Sequence, residues 1–163
     1  GLMPLRRTIA TFAVDPALGH TGWPLLIDAE ETFYLKPEVG QMLASPADET
    51  PDAPRDPRPE LLDVATALER VREATTLDPR SILTSWAGLR TFAPDRSLVL
   101  GPDPLEPSFV WCAGQGGFGI QCSPAAARAV VSLIGSGTLP DDIRALGGDA
   151  SLVLPGRFTG RLP

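Results

Sequence analysis

The chain has very little from which to build conventional catalysis. Its 163 residues include one histidine, His20, one tyrosine, Tyr34, one lysine, Lys36, and two cysteines. There is no Ser/His/Asp order, no HExxH, no paired CxxC and no Walker loop, so no nucleophile–base pair or metalloprotease site can be drawn from it. Cys112 and Cys122 lack the spacing of a metal site, and two cysteines do not make a secreted disulfide framework. A disulfide between them is one reading; two buried thiols in a cytosolic protein are the expectation, and no metal is expected. His20 stands in a proline- and glycine-rich stretch and is expected at the surface of a loop. No apolar run approaches the length of a membrane span, and the N-terminus carries no signal-peptide pattern. The net charge of −6 argues against a general nucleic-acid or anionic-membrane surface. An enzyme made from this chain takes its chemistry from a cofactor, while the protein supplies binding and orientation.

What is present describes a globular protein. The apolar fraction of 43% and charged fraction of 21% suit one domain-sized core and exclude disorder. The start, Gly1-Leu2-Met3-Pro4-Leu5-Arg6-Arg7, has no initiator methionine at position 1 and no leader, and reads as a cut inside a larger protein. Thr8 to Val14 is expected as a strand. Thr32 to Lys36 and Gln41 to Ser45 read as a hairpin around Pro37-Glu38-Val39-Gly40. Residues 46 to 59 are rich in proline and acid and read as an extended surface loop. Leu61, Val64, Leu68 and Val71 form one apolar stripe on a helix from about Pro59 to Thr76. Strands are expected over Ser81 to Phe92, Leu98 to Leu100 and Phe109 to Ala113. Ser123 is expected to cap a helix with Pro124 in its first turn, burying Ala127, Val130, Val131 and Ile134 and ending at Gly135. A short helix follows over Asp141 to Leu146, and the tail from Gly147 is expected along the surface. The class is α+β, a mainly antiparallel sheet with flanking helices, followed by a strand–Gly loop–helix unit that could belong to another sheet.

That last unit is the most informative stretch. Gly114, Gly116, Gly117 and Gly119 stand among Gln115, Phe118, Ile120, Gln121, Cys122 and Ser123. Glycines let backbone approach a ligand closely, and a helix start offers unpaired N–H groups and a positive dipole end. The loop suits a flat or anionic cofactor; its bland reading is a tight strand-to-helix turn. Three further sites attract attention. In Ser85-Trp86-Ala87-Gly88-Leu89-Arg90 the arginine offers a forked donor for a carboxylate, or is a surface arginine at a strand end. In Phe33-Tyr34-Leu35-Lys36-Pro37, alternation puts Tyr34 opposite Phe33 and Leu35, where it lines a pocket or is half-buried structure. The pair Arg6-Arg7 reads as solvated charge.

These segments together, with Pro94-Asp95, Ala44-Ser45-Pro46-Ala47 and Glu73-Ala74-Thr75-Thr76-Leu77, resemble the C-terminal half of the flavoprotein family that contains D-amino acid oxidase, glycine oxidase and sarcosine oxidase. Within it the pattern is most similar to bacterial D-arginine dehydrogenases, which act broadly on D-amino acids. The resemblance covers nearly the whole chain. It implies an FAD enzyme that oxidises D-amino acids to 2-oxo acids, in a cytoplasmic setting. It implies that Arg90 pairs with the substrate carboxylate, that Arg7 reaches the same carboxylate, that Tyr34 lies beside the substrate, and that the Gly117 carbonyl accepts from the amino group. The loop and helix start, Gly114 to Ser123, then hold the flavin ring. Residues 1–92 correspond to part of a substrate domain and 93–163 to the end of an FAD-binding domain. The family's GxGxxG fingerprint follows its first strand; this chain has none, and Asp141 and Asp142 follow Pro140 at a helix start instead of ending a strand. The ADP half of FAD therefore has no visible site here, and the expected partner is an N-terminal FAD-binding half. Two alternatives stay open: a relative acting on glycine, sarcosine or a 2-hydroxy acid, and a non-catalytic domain that pairs through sheet edges.

Overall fold

Strand β1 is the hub of the larger sheet. It runs over Met3–Phe12, so it begins five residues earlier than the expected Thr8 and takes Arg6 and Arg7 into the sheet. The computed structural model describes residues 1–159, and they fall into two units: Pro4–Leu89, and Gly1–Met3 with the chain from Arg90 onward.

In the first unit the strand order is β2 (Leu26–Ile27), β3 (Tyr34–Glu38), β4 (Gln41–Ser45), β1 and β5 (Thr50–Pro51), and β6 (Thr84–Phe92), whose residues from Arg90 on belong to the second unit, also pairs with β1. The pairings from β2 through β5 are antiparallel. β3 and β4 form the expected hairpin. It closes at Glu38 and Gln41 around Val39-Gly40, where Gly40 takes φ 73°, a left-handed conformation that glycine adopts at no steric cost. β3 starts two residues later than expected. The Asp28 carboxylate accepts from the Thr32 amide and hydroxyl and closes a turn just ahead of it.

Residues 46–59 are more than a surface loop. Ala10 pairs with Ala44, and Arg6 with Thr50, so four steps along β1 are matched by six along its partner. The two extra residues bulge and present Asp48, whose carboxylate accepts from the Thr8 amide at 2.7 Å and hydroxyl at 2.9 Å. The arginine pair is not solvated as expected. Arg6 is only 4% exposed, with Nη1 2.6 Å from Glu60 Oε1 and Nη2 2.9 Å from Asp63 Oδ2. Asp48 and Asp52 stand 3.8 Å away. Arginine suits this place because its fork satisfies several carboxylates at once.

Helix α1 spans Leu61–Ala74. Val64 is buried, and Ala67, Leu68 and Val71 pack with Phe12, Phe33, Leu35, Met42 and Ala44; each large side chain buried this way contributes about 1.5–3 kcal/mol. Leu61, expected in this stripe, is exposed; the first helical turn is tied down by the ion pairs to Arg6 instead. Arg70 donates to the carbonyls of Pro46 and Thr32, fixing the helix to the hairpin's flanks. His20 also departs from expectation. It opens a single 3-10 turn, His20–Gly22, and is buried where a surface position was expected.

The second unit is built on a hairpin of β7 (Val99–Pro102) and β8 (Val110–Ala113), covered by helix α2 (Gly119–Ser136). α2 turns a different face inward from the one expected. Ala126, Ala129 and Leu133 are buried with Leu100 and Leu139, and Val130 is partly buried. Val131 and Ile134 are exposed, as is Ala127. Small alanines allow close approach, and Leu133 fills the space over Gly101, 3.4 Å from where a Cβ there would stand. The helix runs past Gly135 to a left-handed Gly137. Helix α3 is Asp141–Ala145. The tail does not simply follow the surface: Val153 and Leu154 pack on the core, and the Val153 carbonyl accepts from the Leu100 amide. Arg157 anchors it with a fork onto Asp95, at 2.7 and 3.2 Å, and bonds to the carbonyls of Ser97, Val153 and Leu154. The Arg157 hydrogen bonds hold the Asp95 carboxyl below its usual range.

Arg6→Ala removes the cation shared by Asp48, Glu60 and Asp63, while Asp52 keeps its pair with Arg55. It is expected to destabilise the protein by about 3–5 kcal/mol in urea unfolding at neutral pH. A loss below about 1 kcal/mol would show that Arg6 does not hold the bulge and α1 to β1.

Candidate functional site

The glycine loop rests on the end of β6. Three consecutive residues there, Arg90, Thr91 and Phe92, each meet it. The Gly116 amide donates to the Thr91 carbonyl at 2.9 Å. A Cβ on Gly116 would stand 2.5 Å from Phe92 Cε1, and one on Gly117 would stand 2.8 Å from Arg90 Nη1. Gly116 also takes φ 53°, so it needs glycine for both conformation and space. At Gly117 a Cβ would meet only the flexible tip of Arg90. The sequence-predicted carboxylate arginine and amine-orienting glycine are therefore brought side by side.

The helix beyond the loop starts earlier than Ser123. α2 begins at Gly119, with Phe118 as its N-cap and no side-chain cap bond. Ser123 and Pro124 lie inside it. Proline has no N–H for the carbonyl four residues back, and Ser123 Oγ donates to that carbonyl, Ile120 O, at 2.9 Å. The serine repairs the ladder rather than capping the helix. The first-turn amides of α2 lack intrahelical acceptors, and Ile120 beside them is 94% exposed. An uncapped, open helix start beside a space that only glycine leaves free fits a group with an anionic edge, such as the pyrimidine side of a flavin.

The cysteines that flank the loop are free thiols, with Cys112 exposed and Cys122 half-buried; the expectation of burial is corrected, and no disulfide closes the loop. Gln115 Nε2 donates to Cys112 Sγ at 3.5 Å.

Arg7 and Tyr34 are brought together in the first unit. The Arg7 guanidinium carbon is 6.0 Å from the Tyr34 ring centroid. Its Nε donates to the Asp48 carbonyl and its Nη2 to Glu49. Tyr34 is half-buried, on the strand face opposite the buried Phe33 and Leu35, as alternation predicts. The candidate residues thus fall into two groups, Arg7 with Tyr34 and Arg90 with the glycine loop. A cleft of the first unit lined by Phe12, Val14, Leu18, Leu77 and Pro79 contains none of them. The sequence reading missed Thr91 and Phe92 as the loop's support; the only sequence signal was their position directly after Arg90. Among the described residues no group of three His, Cys, Asp or Glu side chains is placed to hold a metal ion, and no helix is long and apolar enough to cross a membrane.

Comparison with known proteins follows the same lines. A family model described as DAO, FAD dependent oxidoreductase, matches residues 1–133. Among solved structures, fructosamine oxidase (Amadoriase II) from Aspergillus fumigatus aligns with a TM-score of 0.72 at 16% identity, over 94% of this chain and 39% of its own. L-proline dehydrogenase from P. horikoshii aligns at 0.66 and 20% identity, over 90% and 41%. Glycine oxidase from Geobacillus kaustophilus aligns at 0.64 and 25% identity, over 82% and 35%. The chain spans about two fifths of the length of the solved structures it matches.

Gly116→Ala is expected to destabilise by about 1–3 kcal/mol, through left-handed strain and contact with Phe92. Gly117→Ala displaces only the tip of Arg90 and is expected to cost less than about 0.5 kcal/mol. Denaturant unfolding of both variants checks this; equal losses would contradict the assigned difference.

Proposed function

This chain belongs to the DAO family of FAD-dependent oxidoreductases, and on that premise we propose that the intact protein oxidises a D-amino acid at its α-carbon. The product is an imino acid that hydrolyses to a 2-oxo acid. The observation that carries this reading is the Arg90 guanidinium lying against Gly117. That places a forked donor for a carboxylate beside the residue whose carbonyl the resemblance assigns to the amino group, and an α-amino acid presents those two charges one carbon apart. FAD, the family's cofactor, supplies the hydride acceptor when bound.

The remaining roles belong to the chain. Arg90 holds the α-carboxylate, and the Gly117 carbonyl accepts from the amine, fixing two substituents of the α-carbon and with them the direction of its C–H bond. Arg7 and Tyr34 keep the roles the resemblance assigns them, a second carboxylate donor and a substrate-side tyrosine. Gly114 to Ser123 form the flavin-facing segment. The N–H groups and positive dipole of α2 favour negative charge on a reduced ring. Residues 1–92 then belong to the substrate domain and 93–163 to the FAD-binding domain, with the dinucleotide fingerprint supplied by a preceding half. The cytoplasmic setting rests on the sequence resemblance. The choice of a D-amino acid over glycine, sarcosine or a 2-hydroxy acid rests on the sequence resemblance.

A second reading has one observation in its favour. β2 ends the path of the sheet, and its Leu26 and Ile27 are exposed, which suits pairing with another strand. The visible absorbance of the purified protein separates the two: flavin bands support the enzyme, and a colourless protein that self-associates supports the pairing module.

In the FAD-loaded protein, Arg90→Ala is expected to raise KM and lower kcat/KM for D-amino acids by roughly 10- to 100-fold, the loss of a charged hydrogen-bonded fork. Steady-state kinetics that match the unaltered enzyme would remove Arg90 from its role.

A further inference from the structure

We propose that Arg96 is a positioning residue, which sets the height of the Gly116–Gly117 backbone through the Phe92 ring. The turn that follows β6 carries it. The Arg96 amide donates to the Ala93 carbonyl at 2.9 Å, closing a turn over Pro94-Asp95. Asp95 accepts the Ser97 amide at 3.1 Å and the Arg157 fork, so the turn is clamped from a second side. Arg96 itself takes φ 63°, a conformation that glycine or asparagine adopts at lower cost. A long cation at such a position signals that its side chain is used.

The use is visible. The Arg96 guanidinium carbon lies 4.3 Å from the centroid of the Phe92 ring, within the range of a cation–π contact. Phe92 is 5% exposed, and its Cε1 fills the space where a Cβ of Gly116 would stand. One ring therefore touches both the cation and the loop. Stacking fixes the ring plane, and the ring plane limits how closely Gly116 approaches β6. Gly117 follows Gly116 directly, and Arg90 precedes Phe92 by two residues. A change of ring tilt alters the spacing between the Gly117 carbonyl and the Arg90 fork without unfolding anything.

The inference rests on the placement of substrate and flavin proposed above, and its test separates the two. Arg96→Gly keeps the turn, because glycine adopts the left-handed conformation freely, and removes the stack. Arg96→Lys keeps a cation over the ring. In the intact FAD-loaded protein, Arg96→Gly is expected to unfold at or above the temperature of the unaltered protein and to change the visible circular dichroism of bound FAD. It is also expected to raise KM for the D-amino acid about two- to fivefold, the worth of an exposed cation–π contact, with kcat nearly constant. Arg96→Lys is expected to restore both the spectrum and KM. Spectra and kinetics of Arg96→Gly that match the unaltered protein would overturn the proposal. So would a lowered unfolding temperature with no rescue by lysine, which would make Arg96 a turn residue only. If the FAD-loaded protein turns over no D-amino acid, the functional reading fails, and the circular dichroism of the three proteins still decides whether Arg96 positions the loop.

Discussion

The close approach of the Gly116–Gly117 backbone to the end of β6 constrains everything around the candidate site. Gly116 cannot move away without breaking its bond to the Thr91 carbonyl, and it cannot carry a side chain without displacing Phe92. The loop is therefore short, and α2 starts at once, at Gly119. An early start puts an uncapped helix end next to the arginine that reaches Gly117. A forked cation and a helix dipole concentrated on one small area give that area a strong preference for negative charge. That preference is what the proposed function would use, for a substrate carboxylate and for the flavin's negative charge.

The first unit is governed by a different constraint. Arg6 is buried among carboxylates from the bulge and from the beginning of α1. A buried cation must be paired and hydrogen-bonded, and here the pairing fixes the register slip between β4 and β5. The neighbouring Arg7, one step along the strand, points its guanidinium toward Asp48, Glu49 and Tyr34. Alternation along β1 thus gives two adjacent arginines separate tasks, one inside the sheet–helix layer and one beside the tyrosine.

Much of this was legible in sequence because it depends on local chemistry. The β3–β4 hairpin follows from a glycine that takes a left-handed turn, and α1 from apolar residues at helical spacing. The loop from Gly114 to Gly119 declared itself by composition. The failures have separate causes. Arg6 looked solvated because Glu60 and Asp63 lie more than fifty residues on. His20 looked exposed because it stands in a proline- and glycine-rich, turn-forming stretch. Ser123-Pro124 imitates a helix start, and the repair of the missing proline bond by the serine hydroxyl cannot be told from a cap by residue type. The α2 face was misjudged because bulky β-branched residues read as core, whereas packing over Gly101 selects Leu133 and alanines. Arg90 and Gly117 were each recognised by resemblance, and the contact between them emerged only when the fold placed them together.

The most direct measurement is a crystal structure of the intact FAD-loaded protein with a D-amino acid or its imino product bound. The pairing of Arg90 with Gly117 predicts the ligand carboxylate on the Arg90 fork, its nitrogen at hydrogen-bond distance from the Gly117 carbonyl, and the flavin's pyrimidine edge at the first turn of α2. A ligand bound with Arg90 and Gly117 both out of contact would contradict it.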